Sequence, residues 1–200
     1  MNGACTTPLT SEALAAHALG ELAPEEAERV EEHFFACAEC TRRLEAVQRL
    51  ATAVETLVRE GRVQAAVSPE WLREAEAGGL VVRAYRLAPG ETVACTAGPD
   101  DHLIVLRFEL PELEGAEGID LRAELVDVRT GERREVVVTD IPVRRAPGEL
   151  LYAYSAAEIR SLPRTRVTLR ASAHGARGDQ PIASYTLDHT PWDELAPGTG

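Results

Sequence analysis

The sequence predicts two domains of different class in one chain. An all-α domain is expected over residues 1–77, an all-β antiparallel sandwich of the immunoglobulin or fibronectin kind over 79–190, and a flexible tail over 191–200. Three observations carry this reading. Before residue 78, apolar side chains recur at three-and-four spacing, the period of a helix with one buried face. Beyond it the chain breaks into short runs rich in Val, Leu, Thr and Tyr, separated by turn residues. At the change stands "AEAGG", with paired glycines at Gly78 and Gly79.

Four helices are expected. "TSEALAAHALGEL" offers Thr10 or Ser11 as N-cap, followed by Leu14, Ala15, Ala18, Leu19 and Leu22 on one stripe. "APEEAERVEEHFFAC" opens with Pro24 at a first helical position and with Glu25 and Glu26 beside the positive helix end. A long third helix runs from Ala38 to Glu60, carrying Leu44, Val47, Leu50, Ala51, Val54, Leu57 and Val58, and stops near Gly61. "SPEWLREAEAGG" gives a short fourth helix with Ser68 as its cap.

Eight strands follow: "LVVRAYRLA", "ETVACTA", "HLIVLRFEL", "IDLRAELVDV", "RREVVVTD", "ELLYAY", "RTRVTLRASA" and "PIASYTLDH". Turns fall at "APG", "GPDD", "LEGAEG" and "RTGE", and "SAAEIRSLP" suggests one helical turn between the sixth and seventh runs. Strict alternation at Val167, Leu169, Ala171 and Ala173 is the mark of a half-buried antiparallel strand.

Composition narrows the function. The 200 residues carry a formal net charge of −12, and all 21 basic residues are Arg. That balance argues against direct binding of nucleic acid, whose phosphates attract basic surfaces. No apolar run reaches the length of a membrane span, and "MNGACTTPLT" lacks the basic and apolar regions of an export signal. The expected location is cytoplasmic, where disulfides are not the default use of the four cysteines, Cys5, Cys37, Cys40 and Cys95. Cys95, in "TVACTAG", reads as a buried strand residue.

The stretch "EEHFFACAEC" holds His33, Cys37 and Cys40. His33 and Cys37 are four apart on one helix face, and Cys40 reaches the same point if the chain turns there. Zn²⁺ favours such a tetrahedral sulfur and nitrogen set. A reversible Cys37–Cys40 disulfide, or a core histidine beside two buried thiols, would also fit the spacing.

"LAAHALGELAPEEAERVEEHFFACAEC" resembles the zinc-binding domain of bacterial anti-sigma factors, the zinc-finger family of these proteins, over about residues 8–77. The likeness rests on "ALGEL", on the "PEEAERVEEH" helix, on His-x3-Cys-x2-Cys after "GEL", and on the four-helix order. It implies that His33, Cys37 and Cys40 are zinc ligands. The family's fourth ligand lies just before the first helix, near Thr7 or Pro8 on counting back from "GEL". Cys5, a few residues earlier, is the candidate here, and some family members bind no metal. His17 stands where the family often has an aromatic residue, which makes it a core or half-buried side chain.

The resemblance further implies a partner, an extracytoplasmic-function sigma factor clamped by the helical domain. Residues 1–77 carry 14 acidic and 7 basic side chains, a charge balance complementary to a basic DNA-reading surface. Candidate anchors are Leu50, Val54, Leu57, Trp71 and Leu72, with Trp71 foremost because aromatic anchors dominate such interfaces. A zinc-stabilised module with a non-sigma partner is the competing reading. An enzyme is not expected. Zinc deaminases need His-x-Glu and Pro-Cys-x-x-Cys, whereas here Phe35 stands two after His33 and Ala36 precedes Cys37. His102, His174 and His189 are scattered, with no His-x-His pair.

Overall fold

The computed structural model describes residues 5, 7–18, 20, 22–111, 116–142, 148–175, 178 and 180–195, with only the backbone of Glu117 and Pro142. Leu19 of the first stripe, part of the "LEGAEG" turn and residues 196–200 of the expected tail lie outside them. The chain divides into two compact units, Met1–Leu57 and Val58–Gly200. Helices come first and two mixed β-sheets follow.

The first unit holds helices α1 (Ser11–Ala18), α2 (Pro24–Ala36) and most of α3 (Ala38–Arg59). Thr10 caps α1, its hydroxyl accepting from the Ala13 amide at 3.1 Å. The α2 N-cap, Ala23, has no side-chain acceptor to offer, so Pro24, Glu25 and Glu26 suit that end through geometry and the helix dipole. Leu14, Val30, Cys40 and Leu44 are buried. That is a thin core for a folded segment of this length, which favours a further crosslink.

The second unit begins as α3 ends. Gly61 adopts φ +65° and its amide closes on the Val58 carbonyl. A three-residue strand, β1 (Ala65–Val67), follows, then α4 (Pro69–Ala77). Ser68 caps α4 by accepting the Trp71 amide at 3.1 Å. Gly79, at φ +90°, ends it by letting the Leu80 amide reach back to the Ala75 carbonyl. The remaining strands are β2 (Val82–Leu87), β3 (Thr92–Cys95), β4 (Leu103–Glu109), β5 (Ala116–Asp127), β6 (Arg133–Pro142), β7 (Glu149–Ser155), β8 (Thr165–Gly175) and β9 (Gln180–His189). Helix α5 (Ala156–Arg160) separates β7 from β8, and α6 (Trp192–Leu195) follows β9 in the segment expected to be flexible tail.

One sheet has the order β1-β7-β4-β2, the other β3-β9-β8-β5-β6. All eight expected strands are present, but the antiparallel expectation needs correction. β2 pairs with β4, and β3 with β9, in parallel. The chain passes from one sheet to the other between β2 and β3, so each lies at an edge beside a strand of its own direction rather than folding on the other as a hairpin. Side-chain alternation encodes which face is buried, not strand direction, so the sequence carried no such signal.

Strand β4 explains why α4 sits in this unit. Leu103, Ile104, Val105 and Leu106 are all buried, a continuous apolar run that marks a strand covered on both faces. Ile104, Leu106 and Phe108 join the core shared with Ile119, Leu121, Leu169, Tyr185 and Leu187 of the other sheet. Val105 turns the opposite way and packs with Val58, Val67, Leu72, Leu151 and Ala153. The fourth helix, read from sequence with the first three, therefore covers a sheet.

Candidate metal centre

The second and third helices meet at a corner built around Cys37. This residue leaves helical geometry at φ −133° and ψ 94°, ending α2, and Ala38 starts α3 at once. Thr41 fixes the corner. Its hydroxyl donates to the Phe34 and Cys37 carbonyls, both at 3.1 Å, and its amide donates to the Cys37 carbonyl. His33 on the last turn of α2 and Cys40 on the first turn of α3 are thereby turned toward Cys37. The N-terminal segment is tied to α3 as well, because Arg43 Nη1 donates to the Leu9 carbonyl at 2.7 Å.

These contacts bring Cys5 to the other three residues. Cys5 Sγ lies 3.6 Å from His33 Nε2, and the donor atoms of Cys5, His33, Cys37 and Cys40 all lie within 4.8 Å of one another. In tetrahedral zinc, with Zn–S near 2.3 Å and Zn–N near 2.05 Å, a sulfur and a nitrogen ligand stand about 3.6 Å apart. Three sulfurs and one imidazole nitrogen in this arrangement could hold a metal ion, and the donor set suits a closed structural site.

The electrostatics favour a thiolate. The Cys40 backbone amide donates toward Cys37 and, with the Cys5 thiol, holds the Cys37 pKa down at about 6. Cys5 moves the other way, raised chiefly by its hydrogen bond with Cys37. One thiol of the cluster thus ionises readily while its neighbour supplies the proton that stabilises it.

Residues 10–41 match the family described as "Putative zinc-finger". That zinc-finger family is found in anti-sigma factors, in keeping with the resemblance read from "GEL" and His-x3-Cys-x2-Cys. The match includes His33, Cys37 and Cys40, whereas Cys5 precedes it. No curated protein matches this sequence. Among solved structures, the N-terminal domain of phage TP901-1 ORF48 aligns at 12% identity over 56% of this chain and 99% of its own, with a TM-score of 0.31. A likeness at that level carries no argument.

The remaining candidate residues are distributed differently. His17 is half-buried, its ring edge-on to Phe34 at 5.3 Å, as an aromatic position requires. Leu50 is 65% exposed and Val54 40%, both on α3, while Leu57 is half-buried. Leu72 is only 4% exposed. Its assignment as a partner anchor is corrected, because its side chain fills the core beneath α4. Trp71 packs partly against the same core, with the Arg59 guanidinium 5.5 Å from its ring centre. The sequence puts Phe35 on the apolar stripe of α2 with Ala27, Val30 and Phe34, and this is corrected, because Phe35 is 93% exposed beside the metal corner. Its place between His33 and Cys37, off the Val30 and Phe34 stripe, was the available signal.

A second donor cluster, Asp120, Asp140 and His174, lies in the β unit. The Asp140 amide donates to the Asp120 carboxylate at 3.0 Å, and His174 Nε2 stands 3.3 Å from the Asp140 carboxylate and 3.7 Å from that of Asp120. Asp101 is also more than the turn residue its "GPDD" setting suggested. It is buried and accepts from the Gly98 amide and Arg83 Nε, both at 2.6 Å, organising the loop between β3 and β4.

No helix among the described residues is long and apolar enough to cross a membrane.

Proposed function

We propose that this chain is an anti-sigma factor that binds and sequesters an extracytoplasmic-function sigma factor, using Zn²⁺ held by Cys5, His33, Cys37 and Cys40 as a structural crosslink. The observation that carries the reading is the four-donor cluster at the α2–α3 corner, inside and just before the segment that matches the zinc-finger family. Zinc there joins the N-terminal segment, α2 and the start of α3, and so sets the direction in which α3 leaves the corner. The grip comes from apolar side chains that α3 and the corner leave exposed, Phe35, Leu50 and Val54. Leu50 and Val54 stand one turn apart on α3, and exposed apolar groups of this size suit burial against a protein partner.

The ready ionisation of Cys37 gives the site a redox response. A two-electron oxidant such as a peroxide converts two zinc-bound thiolates to one disulfide, is itself reduced, and frees the metal. The crosslink is then lost, and with it the orientation of α3.

The test is co-expression of the full chain with extracytoplasmic-function sigma factors, followed by purification and transcription with RNA polymerase. A stable one-to-one complex that blocks promoter-dependent transcription, and is weakened by Cys37→Ser, supports the reading. A zinc-loaded chain that binds none of these factors overturns it and leaves a zinc-stabilised module with another protein partner.

A further inference from the structure

The second unit holds a cavity of about 470 Å³, within the ~300–1,000 Å³ range of small-molecule sites. It lies between the two sheets. The aromatic pair Phe108 and Tyr185 stacks at 5.1 Å and fills one part of the interior. Neither borders the cavity, whose walls include the smaller Ala123, Val138 and Val167 together with Leu106 and Leu169. Short side chains on β5, β6 and β8 thus leave a space that the opposite sheet does not fill.

The wall also carries Cys95, Tyr154 and His189. The parallel pairing of β3 with β9 sets Cys95 opposite His189, with Sγ 4.0 Å from Nδ1. His189 is 2% exposed, and its Nε2 is buried without a hydrogen-bond partner, the Leu162 carbonyl near the ring not meeting hydrogen-bond geometry. Tyr154, half-buried, lines the same wall. Buried polar groups in native proteins are nearly always satisfied, and those that are not call for a ligand or a water. One such group, His189 Nε2, belongs to a residue on the wall of an apolar cavity and calls for an occupant there.

The chemistry of the wall limits what that occupant is. Burial pushes the Cys95 thiol up to about 12 and the His189 pKa down, so both are neutral at pH 7. The charged lining residues, Arg134 and Glu158, are opposite in sign and exposed at the cavity's edge. An ion inside would lose its hydration without a buried counter-charge. His189 carries its proton on either nitrogen, and only a group that both donates and accepts can satisfy Nε2 in either tautomer. A hydroxyl does both.

We propose that this cavity binds a small uncharged apolar molecule bearing a hydroxyl, an alkyl or aryl alcohol, with the hydroxyl on His189 Nε2 and the apolar body along β5, β6 and β8. The site lies wholly within the second unit, and its existence does not depend on the identity of the protein partner.

The probe is 2-naphthol, titrated into the zinc-loaded full chain by calorimetry and by its own fluorescence, beside naphthalene, which lacks the hydroxyl, and 2-naphthoate, which is charged. One 2-naphthol should bind per chain, about tenfold more tightly than naphthalene, the difference expected for one buried hydrogen bond. 2-Naphthoate should bind more weakly than either. His189→Phe should abolish the preference for naphthol over naphthalene. Val138→Trp, which fills the cavity from the edge strand, should abolish binding of both while the tyrosine near-ultraviolet dichroism stays that of the wild type. No saturable binding of naphthol or naphthalene would overturn the site and mark its contents as water. Equal affinity for the two would overturn the role of His189, and undiminished binding by folded Val138→Trp would place the probe elsewhere.

Discussion

Cys5 Sγ lies 3.6 Å from His33 Nε2, although 28 residues separate them. The contact joins a segment before the first helix to the last turn of the second. A weak thiol–imidazole hydrogen bond spans that separation, and two ligands of one tetrahedral ion have the same separation by geometry. Chain purified reduced and without chelator should carry about one zinc. Cys37→Ser and Cys40→Ser should lose it, and Cys5→Ser should retain it with lower affinity, since three ligands and a water can still complete the shell. Metal analysis with a competing chromophoric chelator gives the values. Fully folded, reduced protein without zinc would remove the metal from the account.

Thr41 tests whether the corner itself matters. Its hydroxyl donates to two carbonyls at the end of α2. Thr41→Val keeps the shape and removes the donor, which should cost about 1–2 kcal/mol in the first unit. Because the corner positions three ligands, apparent zinc affinity should fall in the same variant, measured by the same competition. Unaltered affinity would show that the ligands are positioned without it.

How much of this was legible before the structure depends on the range of the signal. His-x3-Cys-x2-Cys is local, and one turn at Cys37 brings it together, so three of the four donors could be read from spacing. Cys5 could only be placed by likeness to a family, because the Arg43 bond to the Leu9 carbonyl that ties down its segment spans 34 residues. The strands were legible from their apolar runs, yet their directions were not, and with them went the meeting of Cys95 and His189. Strand β1 has three residues, too few to show alternation. Without it nothing in the sequence told that α4 would cover a sheet, although the unbroken "LIVL" of β4 hinted at a second covered face.

The corrected position of α4 separates two kinds of variant. Leu72→Ala should destabilise the second unit by about 2–5 kcal/mol, the range for a buried leucine. Trp71→Ala should also destabilise it, since the ring packs on the same core. Leu50→Asp, on an exposed turn of α3, should leave the melting temperature unchanged and weaken the proposed complex with a sigma factor by about 2 kcal/mol or more if Leu50 is an anchor. Thermal melts and binding titrations on the three variants decide it. A Leu50→Asp chain that binds as well as wild type would remove α3's exposed row from the interface.

Gly118 makes a sharper packing test. A Cβ at this position would lie 2.4 Å from His174 Nε2 and 2.5 Å from Cε1, closer than any real contact. The ring lies beside Asp120 and Asp140, and swinging away would take it from both carboxylates. Gly118→Ala should cost about 1–3 kcal/mol, the usual range for overpacking. In the double variant with His174→Ala the two costs should not add, because the clash is gone. Denaturant unfolding of the four proteins measures the coupling, and simple additivity would mean the ring has room to move.

His189 predicts a pH dependence whose sign is fixed by its burial. Burial lowers its folded pKa below the ordinary 6.5, more than the Leu162 carbonyl and Glu194 raise it. Above 6.5 the ring is neutral in both folded and unfolded chains, and the second unit keeps its full stability. As pH falls below 6.5 the unfolded chain takes up a proton that the folded ring resists, so stability declines until the folded pKa is passed. All four tyrosines and both tryptophans lie in the second unit, so their near-ultraviolet signal reports its unfolding apart from any loss of metal in the first. Urea midpoints measured from pH 8 to pH 5 should drop for the wild type below about 6.5. The slope should be shallower for His189→Gln, which cannot titrate. Parallel slopes in the two proteins would show that His189 is already solvated in the folded chain, and that the drop belongs to other groups.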